Sequence, residues 1–381
     1  MSSSRIAIVH ERFTEFGGSE LVVAEFMKTW PQAKVFAPIT EPRCRQQVLA
    51  AAGRTDDTPH EPISGTWLDD AYALTGRRSH APLLPLVPGA LGKLPLGDDV
   101  DAVLISHHSF ATQAAFATEA PVIAYVHSPA RWAWDRTFRD HEMASRAGRI
   151  ALSALGKLAR RGELRAAPRL SHVIANSRAV ADRIRDWWGL PSTVISPPVR
   201  IDRFSPDLSI PREDFYLCAG RLVPYKRADL AIRAAQRANC RLVVLGEGRF
   251  RDHLEQIAGP ETTFLGAASD EVLLDMYRRC RALLMPGVED FGIVPVEAMA
   301  CGTPVLALGE GGALDTVNPG VTGEHLMAGP DDAVVEQLAE LMRDFNPADY
   351  DTGAIRARAC EFSPEAFRSR IADTVLGAVR A

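Results

Sequence analysis

The sequence has no CxxC pair, no run of 18 apolar residues and no excess of positive charge. Each absence removes a class of function. The six cysteines (Cys44, Cys218, Cys240, Cys280, Cys301 and Cys360) are scattered and have no histidine nearby at zinc-ligand spacing. That pattern excludes a structural zinc centre and a disulfide framework, and leaves free thiols in a reducing cytosol as the expectation. The N-terminal apolar stretch, Ile6–Val9, is too short for a signal-peptide core or a membrane span, so any membrane contact has to be peripheral. With 43 basic against 48 acidic side chains the net charge is -5, which lacks the field of a dedicated nucleic-acid binder, and no nucleic-acid partner is expected. No GxGxxG opens the first helix, which weighs against a dehydrogenase. Solenoid repeats and low-complexity tracts are also missing. What remains is an ordinary globular composition, 46% hydrophobic and 24% charged over 381 residues, enough for two domains that each bury a core.

Short apolar runs alternate with helical patterns along the first half: RIAIVH (5 to 10), AKVFAP (33 to 38), DAVLIS (101 to 106), PVIAYVHS (121 to 128) and HVIANS (172 to 177). This is the rhythm of a parallel sheet covered by helices. ELVVAEFMKTW (20 to 30) and SRAVADRIRDWW (177 to 188) read as crossover helices, the second capped by Ser177. A proline-rich connector (195 to 212) precedes a second series of strands at 214 to 221, 240 to 248, 262 to 267, 282 to 287 and 303 to 309. The expected architecture is α/β, two Rossmann-like domains facing a central cleft. Residues 1–198 form an N-terminal domain, 199–362 a C-terminal domain, and 363–381 a helix able to pack back on the first. Open α/β sheets bind ligands beyond the carboxyl ends of their strands, so the chemistry is expected on loops there.

Four segments fit that position. TEFGGSE (14 to 20) sets Gly17 and Gly18 at a helix start, either as open backbone N–H groups for an anion or sugar hydroxyl, or as a glycine turn capped by Ser19. YVHSPARWAWD (125 to 135) ends a strand on His127, which is either structural or turned toward a sugar or phosphate; Arg131, Trp132 and Trp134 make the surroundings polar and aromatic. CAGRLVPYKRAD (218 to 229) places Arg221 and Lys226 before a helix starting near Ala228, either as two cations able to neutralise a diphosphate or as a solvated basic loop. PGVEDFGIVPVEAMACGTPVLA (286 to 307) carries Glu289 in a loop and Glu297 in a helix; its small-residue turn offers N–H groups to phosphate, and its carboxylates suit sugar and ribose hydroxyls.

Taken in order, GGSE (17 to 20), VHSP (126 to 129), GRLVPYKR (220 to 227) and Glu289-DFGIVPV-Glu297 resemble the retaining family 4 glycosyltransferases of the GT-B fold. HSPARWAWD and PPVRIDRF (197 to 204) further resemble a bacterial, WbaZ-like subgroup of α-mannosyltransferases in O-antigen and exopolysaccharide assembly. The resemblance implies that 1–198 is the acceptor-binding domain and 199–362 the nucleotide-sugar-binding domain, in which Arg221 and Lys226 hold the donor diphosphate. It puts Glu289 with Asp290, Phe291, Gly292, Ile293 and Val294 at the donor sugar and phosphate, and Glu297 on the ribose. Gly17 and Gly18 would line the donor–acceptor junction, His127 would contact the transferred sugar, and the backbone of Gly266 and Ala267 in FLGAAS (264 to 269) would meet the nucleobase. His127, Arg221, Lys226 and Glu289 are the implied catalytic set.

The implied reaction moves a hexose, mannose from GDP-mannose first and a UDP-linked glucose or GlcNAc second, to a glycan, lipid-linked or small-molecule acceptor. No cofactor and no metal are expected. The one DxD-like string, Asp99-Val100-Asp101, reads as a solvated turn. UDP-sugar 2-epimerases, phosphorylases and a silent nucleotide-sugar-binding subunit share the architecture and rank below the transferase. The segment from Thr55 to Gly97, among the loops that select an acceptor, has no readable chemistry. From Arg131 to Arg169 the chain holds ten basic and four acidic residues, and RIALSALGKLARRGELRAA (149 to 167) alternates cations with leucines. Two readings stand for it: a cytoplasmic helix lying on the anionic inner face of the cell membrane, or an ordinary amphipathic helix of the first domain.

Overall fold

The computed structural model describes residues 4–54, 62–135 and 146–380. The chain divides into two compact units, one made of Met1–Pro198 with Pro364–Ala381 and the other of Val199–Ser363. The first unit holds β1 (Ile6–His10), β2 (Lys34–Phe36), β3 (Ile63–Ser64), β4 (Ala102–His107), β5 (Val122–Val126), β6 (His172–Ala175) and β7 (Thr193–Val194). They pair in the order β3-β2-β1-β4-β5-β6-β7. The second unit holds β8 (Tyr216–Ala219), β9 (Leu242–Leu245), β10 (Thr262–Gly266), β11 (Leu283–Met285), β12 (Val305–Leu308) and β13 (Gly323–Leu326), in the order β10-β9-β8-β11-β12-β13. All the recorded strand pairs are parallel. Both sheets follow the Rossmann order, in which the chain reverses its direction of travel next to the first strand. That switch point falls between β1 and β4 in one sheet and between β8 and β11 in the other.

The central strands are uninterrupted apolar runs because helices cover both of their faces. β4 and β5 are buried at every position. Ala7, Val9, Val103, Ile105, Ala124 and Val126 point to one core, while Ile8, Leu104, Ile123 and Tyr125 point to the other. Helix Arg178–Trp188 shows how the local sequence sets an element. Ser177 Oγ accepts from Val180 N at 3.1 Å, and Val180, Ile184 and Trp188 form its buried stripe. Helix Pro364–Arg380 packs on the first unit by the same four-residue spacing, through Phe367, Ile371 and Val375. The Phe367 ring stacks on Phe26 at 5.8 Å and meets Tyr125 edge-on at 5.7 Å, and Arg368 pairs with Glu25.

β3, β7 and β13 have no counterpart in the sequence reading. The first two are two-residue strands at a sheet edge, too short to show alternation, and β13 (GEHL) carries polar residues because it too is an edge. Among the described residues no helix is long and apolar enough to cross a membrane.

Phe367→Ala empties a site that is 2% exposed. It is expected to cost the first unit about 3–5 kcal/mol, seen as a lower urea midpoint and as lost amide protection in β1, β4 and β5. An unchanged midpoint would show that the terminal helix is only loosely attached.

Candidate active site

At the second switch point the turn after β8 places the cations. Pro224–Lys226 forms a single 3-10 turn, and the Lys226 ammonium lies over Gly220, where an added Cβ would be 3.5 Å from Nζ. Lys226 Nζ meets Glu289 Oε1 at 2.6 Å. Glu289 comes from the loop after β11, which approaches closely because residue 287 is glycine. A Cβ there would be 2.5 Å from the Lys226 carbonyl oxygen, so the two loops touch backbone to backbone. Burial alone would lower the Lys226 pKa, but the Glu289 carboxylate outweighs it and holds the ammonium above its ordinary value. Arg221 is exposed and has no ion-pair partner among the described residues. A tight ion pair therefore stands beside an open guanidinium, and an arriving dianion has two cations to take.

The same β11 loop runs through Asp290 and Phe291 into helix Ile293–Ala300. Phe291 is buried, its ring 5.4 Å from that of Phe362. Gly292 adopts φ +90° at the N-cap and has no side chain to cap with, and Pro295 has no N–H. The N–H groups of Ile293 and Val294 thus begin the helix uncapped by any side chain, the arrangement that favours an anion. One turn on, Glu297 is 7% exposed. Its partners are distant: Tyr277 Oη donates to Oε2 at 3.4 Å, and Arg200 Nη2 is 3.9 Å from Oε1. Arg200 is engaged by Asp270 at 3.1 Å, and Asp270 also takes Arg203 at 3.0 Å. Burial, with Asp270 adding to it against Arg200 and Tyr277, pushes the Glu297 carboxyl up to about 7.

In the first unit His127 is the half-buried end of a hydrogen-bonded chain that is otherwise buried. Register makes the chain. His10 of β1 pairs with Ser106 of β4, Ser106 pairs with Tyr125 of β5, and His127 lies two residues past Tyr125 on the same face. His10 Nδ1 is 3.0 Å from Ser106 Oγ, which is 2.8 Å from His127 Nε2. His10 Nε2 is 3.0 Å from Glu20 Oε1, in the first turn of helix Gly18–Thr29. Glu20 Oε2 accepts from Gly17 N at 3.0 Å and from Ser19 Oγ at 2.9 Å. Burial raises the Glu20 pKa, but the bonds from His10 and Ser19 bring the carboxyl below its ordinary value. Burial together with the neighbouring His10 pushes the His127 imidazole down to about 3. Ser19 is therefore not the helix cap. The N-cap is Gly17, which has no side chain, and Glu20 reaches back to the Gly17 N–H. His10, Glu20 and Ser106 escaped the sequence reading, although polar residues where neighbouring apolar strands end were the available signal.

Two further buried carboxylates hold the surrounding loops. Glu11 accepts from Ser109 N, Phe110 N and Ala111 N at 2.7–3.1 Å, fixing the turn after β4. Glu163, 1% exposed, accepts from His107 Nε2, Ala130 N, Trp134 Nε1 and Trp188 Nε1. Glu163 belongs to helix Arg146–Ala166, so the inner face of the basic segment is an ordinary packed face. Ala154, Lys157, Leu158, Arg161, Leu164 and Arg165 make its outer, exposed face. Of the basic run, Arg136 and Arg139 and the side chains of Arg146 and Arg149 lie outside the described residues.

Two other sequence readings meet structure here. Asp99 and Asp101 precede β4, at the amino end of the sheet, where Arg5 Nη1 meets Asp99 at 3.1 Å and Arg5 N meets Asp101 at 2.8 Å. The string is thus a pinned turn far along β4 from the switch-point loops. In the loop after β10, Ala267 N donates to Glu247 Oε1 at 3.2 Å, so the backbone group assigned to a nucleobase already has a partner.

Residues 16–203 match the model described as Glycosyltransferase Family 4, and residues 201–352 the one described as Glycosyl transferases group 1. Among curated proteins, the GDP-mannose-dependent monoacylated alpha-(1-6)-phosphatidylinositol monomannoside mannosyltransferase of Corynebacterium glutamicum is 34% identical over 143 residues, 33% of this chain and 37% of that protein. The D-inositol 3-phosphate glycosyltransferase of Streptomyces avermitilis is 31% identical over 257 residues, 58% of this chain and 54% of that protein. The aligned stretches thus span between about a third and about half of the relatives' own lengths. Among solved structures, Anabaena HepE in complex with UDP and glucose superposes with a TM-score of 0.71 at 19% identity, covering 98% of this chain and 100% of that one. At that identity the likeness is one of fold.

The Glu297 carboxyl gives a stability signature. Between pH 4.5 and about 7 the unfolded chain loses this proton while the folded chain keeps it. The unfolded state then binds fewer protons, and stability falls as pH rises through the window. Glu297→Gln removes that slope. The difference in unfolding midpoint between wild type and variant is expected to shift in favour of the variant from pH 4.5 to 7 and level off above. A difference independent of pH would contradict the assignment.

Proposed function

We propose that this chain, which carries a glycosyltransferase domain in each half and the two-sheet GT-B fold, is a retaining hexosyltransferase that uses a nucleoside-diphosphate sugar without a metal. The observation that carries the reading is the cluster at the second switch point: Lys226 paired with Glu289, Arg221 open beside it, and the uncapped start of helix Ile293–Ala300. In this proposal the donor diphosphate takes Lys226 and Arg221, and the freed Glu289, with the loop Asp290–Val294, receives the hydroxyls of the sugar. Glu297 receives the ribose hydroxyls, its present partners at 3.4 and 3.9 Å leaving its oxygens short of good hydrogen bonds. Gly266 and Ala267 turn to the nucleobase, which replaces Glu247 as the partner of Ala267 N.

As the bond from the anomeric carbon to the phosphate oxygen breaks, negative charge grows on the diphosphate. Arg221, Lys226 and the N–H groups of Ile293 and Val294 stabilise it in place, which is where such sites gain most of their rate. The acceptor oxygen bonds to the anomeric carbon from the same face, and its proton goes to the departing phosphate. His127, a neutral imidazole, contacts the transferred sugar, with Gly17 and Gly18 lining the junction with the acceptor. GDP-mannose is the favoured donor, supported by the mannosyltransferase relative. A UDP-sugar is the second reading, supported by the fold neighbour solved with UDP and glucose. The acceptor is a glycan, a lipid-linked saccharide or a small molecule. The exposed face with Lys157, Arg161 and Arg165 around Leu158 and Leu164 supports cytoplasmic work at the anionic inner surface of a membrane.

The test is release of nucleoside diphosphate from GDP-mannose and UDP-glucose in EDTA, with a lipid extract as acceptor. Arg221→Ala and Lys226→Ala are each expected to lower turnover about 100-fold or more. Wild-type turnover in both would overturn the diphosphate assignment.

A further inference from the structure

Ser106, His10 and Glu20 stand in the acid–histidine–hydroxyl order of a hydrolase triad, yet Ser106 is fully buried and its Oγ faces another histidine. A buried hydroxyl attacks nothing. What the chain does control is the direction of its own hydrogen bonds. Glu20 accepts from Gly17 N, Ser19 Oγ and His10 Nε2, and a carboxylate has no proton to give, so His10 carries its proton on Nε2. With a single proton on the ring, held on Nε2 by the carboxylate as in other acid–histidine pairs, Nδ1 is an acceptor. The Ser106 hydroxyl has one proton and gives it to His10 Nδ1. Its lone pairs are then what His127 Nε2 meets at 2.8 Å, so His127 Nε2 is the protonated nitrogen. Among the described residues, no side-chain bond is recorded to His127 Nδ1.

We propose that Glu20, His10 and Ser106 are positioning residues that fix one tautomer of His127, with Nε2–H held inside the domain and Nδ1 presented outward as an acceptor for a sugar hydroxyl. This rests on the reading that His127 meets the transferred sugar. It adds that His127 takes a hydrogen bond from the substrate and gives none, so a sugar with a hydroxyl at that point is selected over one lacking it, because an unmet buried acceptor is costly. The titratable groups around His127 are His10, His107, His108, Glu20 and Tyr125, and burial of the ring opposes a second proton on it. The imidazole therefore stays neutral and the tautomer alone decides its role.

The experiment is nitrogen-15 NMR of the full chain labelled at histidine, near pH 7.5, with the His127 signals assigned by their absence in His127→Gln. The expected wild-type result is Nε2 in the protonated range and Nδ1 in the unprotonated range. Ser106→Ala is expected to mix the two tautomers, Ser106→Thr, which keeps the hydroxyl, to restore one, and Glu20→Gln to loosen it. In transfer assays Ser106→Ala and Glu20→Gln are expected to lower kcat about 10- to 100-fold, by analogy with the loss of partners that orient metal-bound histidines, with the donor KM nearly unchanged. A protonated Nδ1 in the wild type overturns the proposal without recourse to any variant. If the tautomer is as stated but His127→Gln transfers at the wild-type rate, the chain is structural and the assignment of His127 to the sugar falls. The diphosphate site, tested through Arg221 and Lys226, is independent of either outcome.

Discussion

Parallel pairing is the constraint on which the rest of this structure depends. When every strand of a sheet runs the same way, all carboxyl ends lie along one edge, and the strand order β10-β9-β8-β11 or β3-β2-β1-β4 opens a gap in the connections there. The strands themselves are apolar on both faces and have no room for chemistry. The polar groups therefore collect just past the strand ends: Arg221 and Lys226 after β8, Glu289 after β11, Gly17 and Glu20 after β1, Ser106 at the end of β4 and His127 past β5. Each unit builds its polar cluster by the same rule, from loops brought together by register.

Buried carboxylates differ in how fully the fold itself satisfies them. Glu11 and Glu163 each accept from several N–H groups, and Glu20 from His10, Ser19 and Gly17. These three are satisfied where they stand and serve as internal clamps. Glu297 is buried too, but its nearest partners are a phenol at 3.4 Å and a guanidinium at 3.9 Å. Burial without adequate partners raises its carboxyl to about 7. A group in that condition is costly to the fold and useful to a ligand that supplies the missing donors, the role that the proposed function gives to ribose hydroxyls.

Much of this was legible in the sequence, for reasons particular to each feature. Uninterrupted apolar runs such as AVLIS and VIAYV announced central parallel strands, and the four-residue spacing of Phe367, Ile371 and Val375 announced the terminal helix. The second-domain cluster is local in sequence, Arg221 to Lys226 and Glu289 to Glu297, so its motif could be read directly. The first-domain relay is not local. His10, Glu20 and Ser106 join His127 only through the register of β1, β4 and β5, which no single stretch displays. For the same reason Arg200, Asp270 and Tyr277 around Glu297 went unread, as did the hold of Glu247 on Ala267. Edge strands β3, β7 and β13 were too short or too polar to signal themselves.

The central claim is that the second-domain switch point is built for a nucleoside diphosphate. Calorimetric titration of the full chain with GDP, UDP and ADP in EDTA tests it most directly. The account predicts binding of GDP or UDP that weakens about tenfold or more, some 1.4 kcal/mol, in Glu297→Ala. Binding of none of the three nucleotides, or equal affinity in the variant, would contradict it.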